Sequence, residues 1–227
     1  MRPFRHEQKY YIRQGDYELV SRKLSLTMDK DENTGKKGKY FIRSLYFDDY
    51  LDSAFREKLG GAGGRDKYRI RIYNMKDKQI KLECKHKEGL YVQKQSLSLS
   101  RQECDAIVGG DISSLLSRRE PFAKEMYAAF RTKHLTPRVI VDYWREPYVF
   151  PIEDVRVTFD MDIRTAYRAT DLFNRELLTY PVLGEYDMVM EVKFNQYLPG
   201  YIRTLIQPIQ NAQRSAISKY VLCRQYE

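Results

Sequence analysis

The chain has 227 residues, of which 42% are hydrophobic, and it carries a net charge of +9 from 40 basic and 31 acidic residues. This length and composition favour a single domain over residues 1–227, and the positive charge favours an anionic partner: nucleic acid, anionic lipid or a phosphorylated small molecule. Three cysteines without C-x-x-C spacing argue against a disulfide framework, and without an apolar signal region or an 18-residue apolar stretch we expect a cytoplasmic protein with no membrane span.

Strand and helix patterns alternate in the first part of the chain. The predicted elements are a strand from about Phe4 to Ile12, a helix from an Asp16 N-cap through Leu26, a strand over Tyr40–Asp48 and a short helix over about Tyr50–Leu59. The glycine cluster that follows, Gly60–Gly64, lacks the Gly-Lys-Ser/Thr ending of a phosphate-binding loop. We therefore interpret it as a turn.

Three closely spaced strands follow and should pair as antiparallel hairpins: Lys67–Tyr73, Gln79–His86 and Leu90–Leu99. Ser100 and Glu103 have the spacing of a capping box, which predicts a helix to about Val108. The remaining predicted elements are a helix from Pro121 to about Thr132, strands over Arg138–Arg145, Val155–Arg164 and Asp187–Phe194, and a helix from about Ser215 to Cys223. Eight strands with helices between them predict a mostly antiparallel α+β fold.

Charged residues occupy every second position in most of these strands. Residues i and i+2 of a strand share a face, so the Glu-x-Lys pairs Glu7–Lys9, Glu83–Lys85 and Glu191–Lys193 each place a carboxylate beside an ammonium. The predicted charged face carries Glu7, Lys9, Lys67, Arg69, Arg71, Lys81, Glu83, Lys85, Lys87, Lys94, Tyr143, Arg145, Arg156, Thr158, Asp160, Asp162, Glu191 and Lys193.

This face has two interpretations. An open sheet could expose it to solvent. A closed eight-stranded barrel would instead enclose it, and buried unpaired charges are costly, so such an interior requires a polyanion and a divalent metal to enter. For Glu7 and Glu83, metal ligation and internal salt bridges to Lys9 and Lys85 both stay open. No Ser/His/Asp or Cys/His catalytic set is visible, and His6 and His86 fall on the faces opposite the charged one.

Several segments, in order over nearly the whole chain, resemble the VTC domain, the polyphosphate polymerase domain of the triphosphate tunnel metalloenzyme (CYTH-like) superfamily. The segments are His6–Tyr10, Ser44–Asp48, Lys67-x-Arg69-x-Arg71, Leu82–Lys85, Arg156–Asp160, Val189–Phe194 and Ser218–Tyr220. The resemblance implies a closed eight-stranded antiparallel barrel, forming a tunnel, with inserted helices and a C-terminal helix. It also implies ATP and inorganic polyphosphate as partners and Mn²⁺ or Mg²⁺ as cofactor.

The resemblance also implies roles for individual residues. Phosphate-binding positions are Lys9, Arg69, Arg71, Lys85, Lys94, Arg145, Arg156, Ser218 and Lys219, to which we add Lys193 from the charged face. Glu191 matches the metal-binding carboxylate, and Glu7 and Glu83 are further metal candidates. The predicted catalytic residues are Arg69, Arg71, Lys85, Arg145, Arg156 and Glu191.

One position departs from the superfamily pattern. Where the wider superfamily begins with Glu-x-Glu-x-Lys, this chain has Arg5 in place of the first Glu. The change removes a metal ligand and adds a cation, which favours phosphate-chain binding over hydrolysis. We therefore predict a polyphosphate polymerase with no nucleic-acid partner. The alternatives are a hydrolase of inorganic or nucleoside triphosphates and a non-catalytic polyphosphate- or nucleic-acid-binding module. The metal preference, the direction of the reaction, the polymer length and the oligomeric state stay open.

Overall fold

The computed structural model describes residues 5–89, 91–166, 168–210 and 215–225. Phe4 and Leu90, the predicted first residues of two strands, lie outside these ranges. Within them, ten strands and seven α-helices form an antiparallel α+β fold, as the alternating patterns predict. No helix in the described ranges is both long and apolar enough to cross a membrane.

The strands, in chain order, are β1 His6–Ile12, β2 Asp29–Lys30, β3 Tyr40–Asp48, β4 Gly64–Tyr73, β5 Lys76–Glu88, β6 Tyr91–Leu99, β7 Thr136–Phe150, β8 Val155–Ala166, β9 Tyr180–Pro181 and β10 Met188–Phe194. The helices are α1 Gln14–Ser25, α2 Ser53–Leu59, α3 Arg101–Val108, α4 Ser113–Ser117, α5 Pro121–Lys133, α6 Gly200–Gln210 and α7 Lys219–Arg224. Two short 3₁₀ segments cover Glu32–Lys37 and Ile152–Asp154.

The sheet has the hydrogen-bonded strand order β1-β10-β8-β7-β3-β4-β5-β6, with β2 beside β7 and β9 beside β8. The eight strands on the main path correspond to the eight predicted ones, and the two short strands were not predicted. The described hydrogen bonds form an open path, so the predicted closure into a barrel is not confirmed.

The predicted hairpins are confirmed, because β4 pairs antiparallel with β5 and β5 with β6. The turn between β4 and β5 is tighter than predicted. Asn74 and Met75 both have positive φ, of 52° and 55°, as a two-residue turn that follows the twist of the strands requires. This turn sets the register of β4 against β5, and with it the side chains that face each other across the two strands.

Helix starts are the least accurate part of the prediction. The capping box of α3 is confirmed: Ser100 Oγ accepts from the Glu103 amide and Glu103 accepts from the Ser100 amide. In contrast, α1 is capped by Arg13, and Asp16 lies inside the helix, where its carboxylate accepts from the Arg13 amide.

The predicted start of the last helix at Ser215 is wrong. The Ser215 amide donates to the Lys9 carbonyl at 3.2 Å, which keeps residues 215–218 non-helical, and α7 begins at Lys219. Ser215 and Ser218 therefore lie outside the last helix. Helices α4 and α6 were not predicted.

The chain divides into two compact units, each with its own hydrophobic core. The first unit comprises Met1–Phe41, Tyr143–Ile163 and Pro181–Ser218, and the second comprises Ile42–Asp142, Arg164–Tyr180 and Lys219–Glu227. The single domain predicted over residues 1–227 stays a prediction.

In the first unit, the core faces of β1, β8 and β10 pack against α1 and α6. In the second, β3, β4, β5 and β6 pack against α3, α4 and α5. Because side chains alternate along a strand, the opposite faces of these strands are left to the charged residues.

An ion pair is buried within the second unit. The Arg43 guanidinium donates two hydrogen bonds to the Asp142 carboxylate, at 2.8 and 2.7 Å, and a third to the Asn174 carbonyl. Both side chains are at most 5% exposed. The pair ties the segment around Asn174 to strands β3 and β7.

We predict that Asp142→Asn lowers the free energy of unfolding by about 3–5 kcal/mol, because it leaves the buried guanidinium without its carboxylate. Urea denaturation followed by circular dichroism measures this. The control is Glu185→Gln, which breaks the exposed Arg13–Glu185 pair and should change stability by less than about 1 kcal/mol. Equal effects of the two substitutions would contradict the structural role of Asp142.

Candidate functional site

The first unit carries a charged cluster on the faces of β1 and β10 that lie opposite its hydrophobic core. The antiparallel register places Glu7 opposite Lys193 and Lys9 opposite Glu191, so the two Glu-x-Lys pairs form a square of alternating charge. Lys193 Nζ lies 2.9 Å from Glu191 and 3.6 Å from Glu7, and Lys9 Nζ lies 3.7 Å from Glu7. The predicted side-by-side arrangement is confirmed, and pairing across the strands doubles it.

Glu191 is the buried centre of this cluster, with 4% of its surface exposed. Burial alone would raise the pKa of the Glu191 carboxyl, but Lys193, Lys9 and Arg145 hold it well below its ordinary value. Glu191 is therefore ionised at neutral pH. The Glu7 carboxyl lies beside that of Glu191.

Arg145, on β7, extends the cluster and is held rigidly. Its Nε and Nη2 atoms donate to the two oxygens of Asp160 at 2.7 and 2.8 Å, and Nη2 lies 3.6 Å from Glu191. Burial would lower the pKa of Arg145, but the Asp160 carboxylate raises it above its ordinary value. Asp160 is fully buried. The alternation of Arg156, Thr158 and Asp160 placed Asp160 on the charged face, yet it was not selected as a site residue.

Two further predicted residues of the first unit, Arg156 and Ser218, lie near the cluster in different surroundings. Arg156 Nη2 lies 2.8 Å from Asp31 and 3.3 Å from the Tyr40 hydroxyl. Asp31 is in a loop, and no local pattern in the sequence identifies it as a partner. Ser218 is buried, in the segment that Lys9 holds through a hydrogen bond to the Ile217 carbonyl at 3.3 Å.

Arg5 does not add a cation to this cluster. Its guanidinium contacts the carbonyl and the carboxylate of Asp154, each at 2.8 Å. Asp154 therefore offsets the positive charge that Arg5 was expected to add.

The second unit carries a different charged cluster, around Glu83 on β5. Arg69 Nε donates to Glu83 at 2.7 Å, Lys94 Nζ forms a short ion pair with it, and Arg71 lies 3.9 Å away. Glu83 is 2% exposed. Burial alone would raise the pKa of its carboxyl, but Arg69, Arg71 and Lys94 hold it far below its ordinary value.

Hydrogen bonds that Arg69 and Arg71 donate to side chains of the neighbouring strand β3 orient the two guanidinium groups. Arg69 Nη1 donates to the Tyr46 hydroxyl at 2.8 Å, and Arg71 Nε donates to Ser44 Oγ at 3.2 Å. Tyr46 and Ser44 lie on β3, directly opposite Arg69 and Arg71 in the register. The side chains that position these arginines thus belong to the strand next to their own.

A row of three lysines crosses the same face of the second unit. Lys85 is directly opposite Lys67 on β4 and Lys94 on β6. Directly opposite residues of antiparallel strands share a face, and like charges in this arrangement repel. The face of the second unit is therefore strongly cationic, whereas carboxylates and cations alternate in the first unit. Lys219, at the start of α7, is half-buried in the second unit.

The structure unites the predicted metal candidates only in part. Glu7 and Glu191 come together in the first unit. Glu83 in the second unit is surrounded by cations. Within the described residues, no group of three or more His, Cys, Asp or Glu side chains is arranged to hold a metal ion.

Comparisons with known proteins support the family resemblance seen in the sequence and the observed fold. A family model described as the VTC domain matches residues 4–226. A putative adenylyl cyclase from Hippeastrum, described as having a dominant triphosphatase activity, is 14% identical with a TM-score of 0.58, over 99% of this chain and 96% of that chain. A putative adenylate cyclase from Bacillus halodurans is 13% identical with a TM-score of 0.55, over 95% of this chain and 94% of that chain. At these identities the likeness shows the fold alone. No curated protein matches the chain.

We predict that Glu83→Gln destabilises the protein by on the order of 3 kcal/mol in a buffer without multivalent anions, because Arg69, Arg71 and Lys94 lose their shared carboxylate. Adding inorganic triphosphate should restore part of the melting temperature. Thermal unfolding in the two buffers measures both effects. Glu88→Gln, an exposed change on the opposite face of β5, is the control.

The same variant tests Glu83 as a metal ligand. Weakened Mn²⁺ binding with an unchanged melting temperature would assign Glu83 to the metal and contradict its role as the counter-ion of the arginines.

Proposed function

The chain belongs to the VTC domain family, and we propose that it is a metal-dependent polyphosphate polymerase of the triphosphate tunnel (CYTH-like) superfamily. The reaction would transfer the γ-phosphoryl group of ATP to the terminal phosphate of a growing polyphosphate chain. We also propose that the sheet closes into the tunnel that the sequence predicts.

The observation that carries the proposal is the lysine row Lys67–Lys85–Lys94, which lies beside Arg69 and Arg71, the two arginines that contact Glu83. Ammonium groups that lie side by side repel one another, and a bound anion reduces this repulsion. A phosphate chain supplies negative charge at regular spacing. Lysine contributes point charge and arginine a planar fork that matches phosphate oxygens, so the mixture suits chained phosphates.

The paired carboxylates of the first unit fit a hard divalent cation. Mg²⁺ is commonly held by one or two carboxylates plus phosphate oxygens, and Mn²⁺ also prefers oxygen ligands, which is the donor set that Glu7 and Glu191 offer. Glu83 fits less well, since it is a single carboxylate among the three cations Arg69, Arg71 and Lys94. A bound metal would neutralise charge on the reacting phosphates.

The side chains of the protein would bind and orient the substrates. Asp160 fixes the plane of Arg145, and Glu83 and Tyr46 fix Arg69, so each guanidinium is oriented before phosphate binds. The attacking oxygen belongs to the polymer, so no protein nucleophile is required. Positioning and charge neutralisation carry most of the catalysis in phosphoryl transfer.

The remaining predicted residues complete the proposed site. We assign catalytic roles to Arg69, Arg71, Lys85, Arg145, Arg156 and Glu191, and phosphate-binding roles to Lys9, Lys94, Lys193, Ser218 and Lys219.

Hydrolysis of inorganic or nucleoside triphosphates is the second candidate. The similarity in fold to the Hippeastrum protein, described as a triphosphatase, favours it. The carboxylate missing at Arg5 favours the polymerase, although Asp154 offsets the added charge. A binding module without catalysis is the third candidate. The buried carboxylate of Glu191 opposes it, because a pure anion binder gains nothing from a negative charge there.

A product assay separates the three. Purified protein incubated with ATP and Mn²⁺ should release ADP and form a polymer that exopolyphosphatase removes, and chelation of the metal should abolish both products. Gel separation of polymer from free phosphate is the measurement. Free phosphate without polymer would assign a hydrolase, and tight polyphosphate binding without turnover would assign a binding module.

Glu191→Gln tests the metal role. Polymer synthesis should fall by on the order of 10²-fold or more, because the variant keeps the size of the side chain but removes the charge that a divalent ion requires. Metal-free triphosphate affinity, measured by calorimetry, should hold or rise. If Glu191 serves only as the partner of Lys193, Mn²⁺-dependent activity would persist while the melting temperature falls.

A further inference from the structure

A cavity of about 500 Å³ opens in the first unit, on the faces of β1 and β10 opposite the charged cluster. Its buried wall is apolar and consists of Tyr10, Phe194 and Leu198, each at most 7% exposed. Gln8 lies on this side of β1 and alternates with the charged Glu7. The volume is in the range of small-molecule sites, and none of the residues assigned above to phosphate or metal line it.

Aromatic rings form the exposed side of the cavity. The imidazole of His6 stacks on the Phe194 ring, with centroids 5.0 Å apart and planes 24° apart, and His6 itself is exposed. Tyr197 is 54% exposed at the same opening. Exposed ring faces beside an apolar wall suit a flat, aromatic ligand that can stack.

Polar groups of the lining are few and specific. Gln8 Oε1 accepts from the Tyr10 hydroxyl at 2.8 Å, while the exposed Gln196 places a second side-chain amide at the cavity. Each glutamine amide combines a donor and an acceptor, the pair that matches N6 and N7 of adenine.

The cavity is also positively charged. The Arg203 guanidinium donates to the Leu198 carbonyl at 3.4 Å, and among the residues that the structure describes no carboxylate pairs with it. The lining has no acidic residue. The neighbouring Glu153 carboxylate accepts from the Gln196 backbone amide at 2.7 Å. Arg203 lies in the first turn of α6, where the helix dipole adds to its attraction for an anion.

We propose that this cavity is a second, metal-independent nucleotide site that binds an adenine nucleotide of monophosphate size. The base stacks on His6 and Tyr197, the amides of Gln8 and Gln196 contact its edge, and Arg203 binds the phosphate. The site is separate from the charged cluster, so the proposal does not depend on polymerase activity.

Isothermal titration with AMP in EDTA, in the presence of saturating inorganic triphosphate, tests the proposal. The wild-type protein should bind one AMP per chain. Arg203→Ala should weaken binding by about tenfold, the scale of a charge-assisted hydrogen bond, and Tyr197→Ala by about fivefold or more through loss of stacking. Arg22→Ala removes an exposed cation from α1 of the same unit and should leave AMP affinity unchanged.

Three results would overturn the proposal. They are no AMP binding by the wild-type protein, displacement of AMP by triphosphate with both cavity variants unaffected, or equal losses from Arg22→Ala and Arg203→Ala, which would mean non-specific attraction. Arg203 and Tyr197 are exposed, so their truncation leaves the core intact. A protein that makes no polymer yet binds AMP in this pattern would reject the proposed function and keep this site.

Discussion

The ionisation of carboxylates buried among cations is the interaction on which the charged faces depend. Desolvation favours the neutral form of a carboxyl group, so Glu83 and Glu191 could not remain charged at their burial without adjacent cations. The dependence is mutual. Arg69 and Lys94 can lie close together only because Glu83 separates them, and Lys9 and Lys193 are spaced in the same way by Glu7 and Glu191. Each carboxylate therefore organises the cations around it.

The two units use this interaction in different proportions. In the first unit, carboxylates and cations alternate, and Arg145 has Asp160 as its own partner. In the second unit, Glu83 is shared among several cations, and the row Lys67–Lys85–Lys94 places further positive charge on the same face. The alternating cluster contains two carboxylates, the ligand type that a hard metal ion prefers, and the cationic face suits a polyanion. This difference supports a metal-binding contribution of Glu7 and Glu191 and a phosphate-binding contribution of the lysine row in the proposed polymerase.

Strand alternation gives β1 and β10 two chemically distinct sides. On one side, Glu7 and Lys9 enter the ionic cluster. On the other side, Gln8 and Tyr10 border the cavity, which has an apolar buried wall and a single arginine in its lining. A strand whose two faces are both occupied by specific contacts cannot slip by one residue, since such a shift would exchange the faces. The same pleat that presents the ionic cluster on one side thus fixes the wall of the cavity on the other.

Alternation of residues along the chain predicted the eight main strands and the side of each strand that carries charge. Short connections predicted the hairpins, and the spacing of Ser100 and Glu103 predicted the capping box. The pattern i, i+2 specifies a face but not the neighbour across it, so the pairing of Glu83 with Lys94 had to come from strand register. Contacts between a strand and a segment distant in sequence could not be predicted from local patterns. Asp154 binds Arg5 from a segment far along the chain, and a hydrogen bond from Ser215 to β1 moves the start of the last helix. These features depend on tertiary structure, because the two partners of each contact are distant in sequence and local propensity carries no information about such contacts.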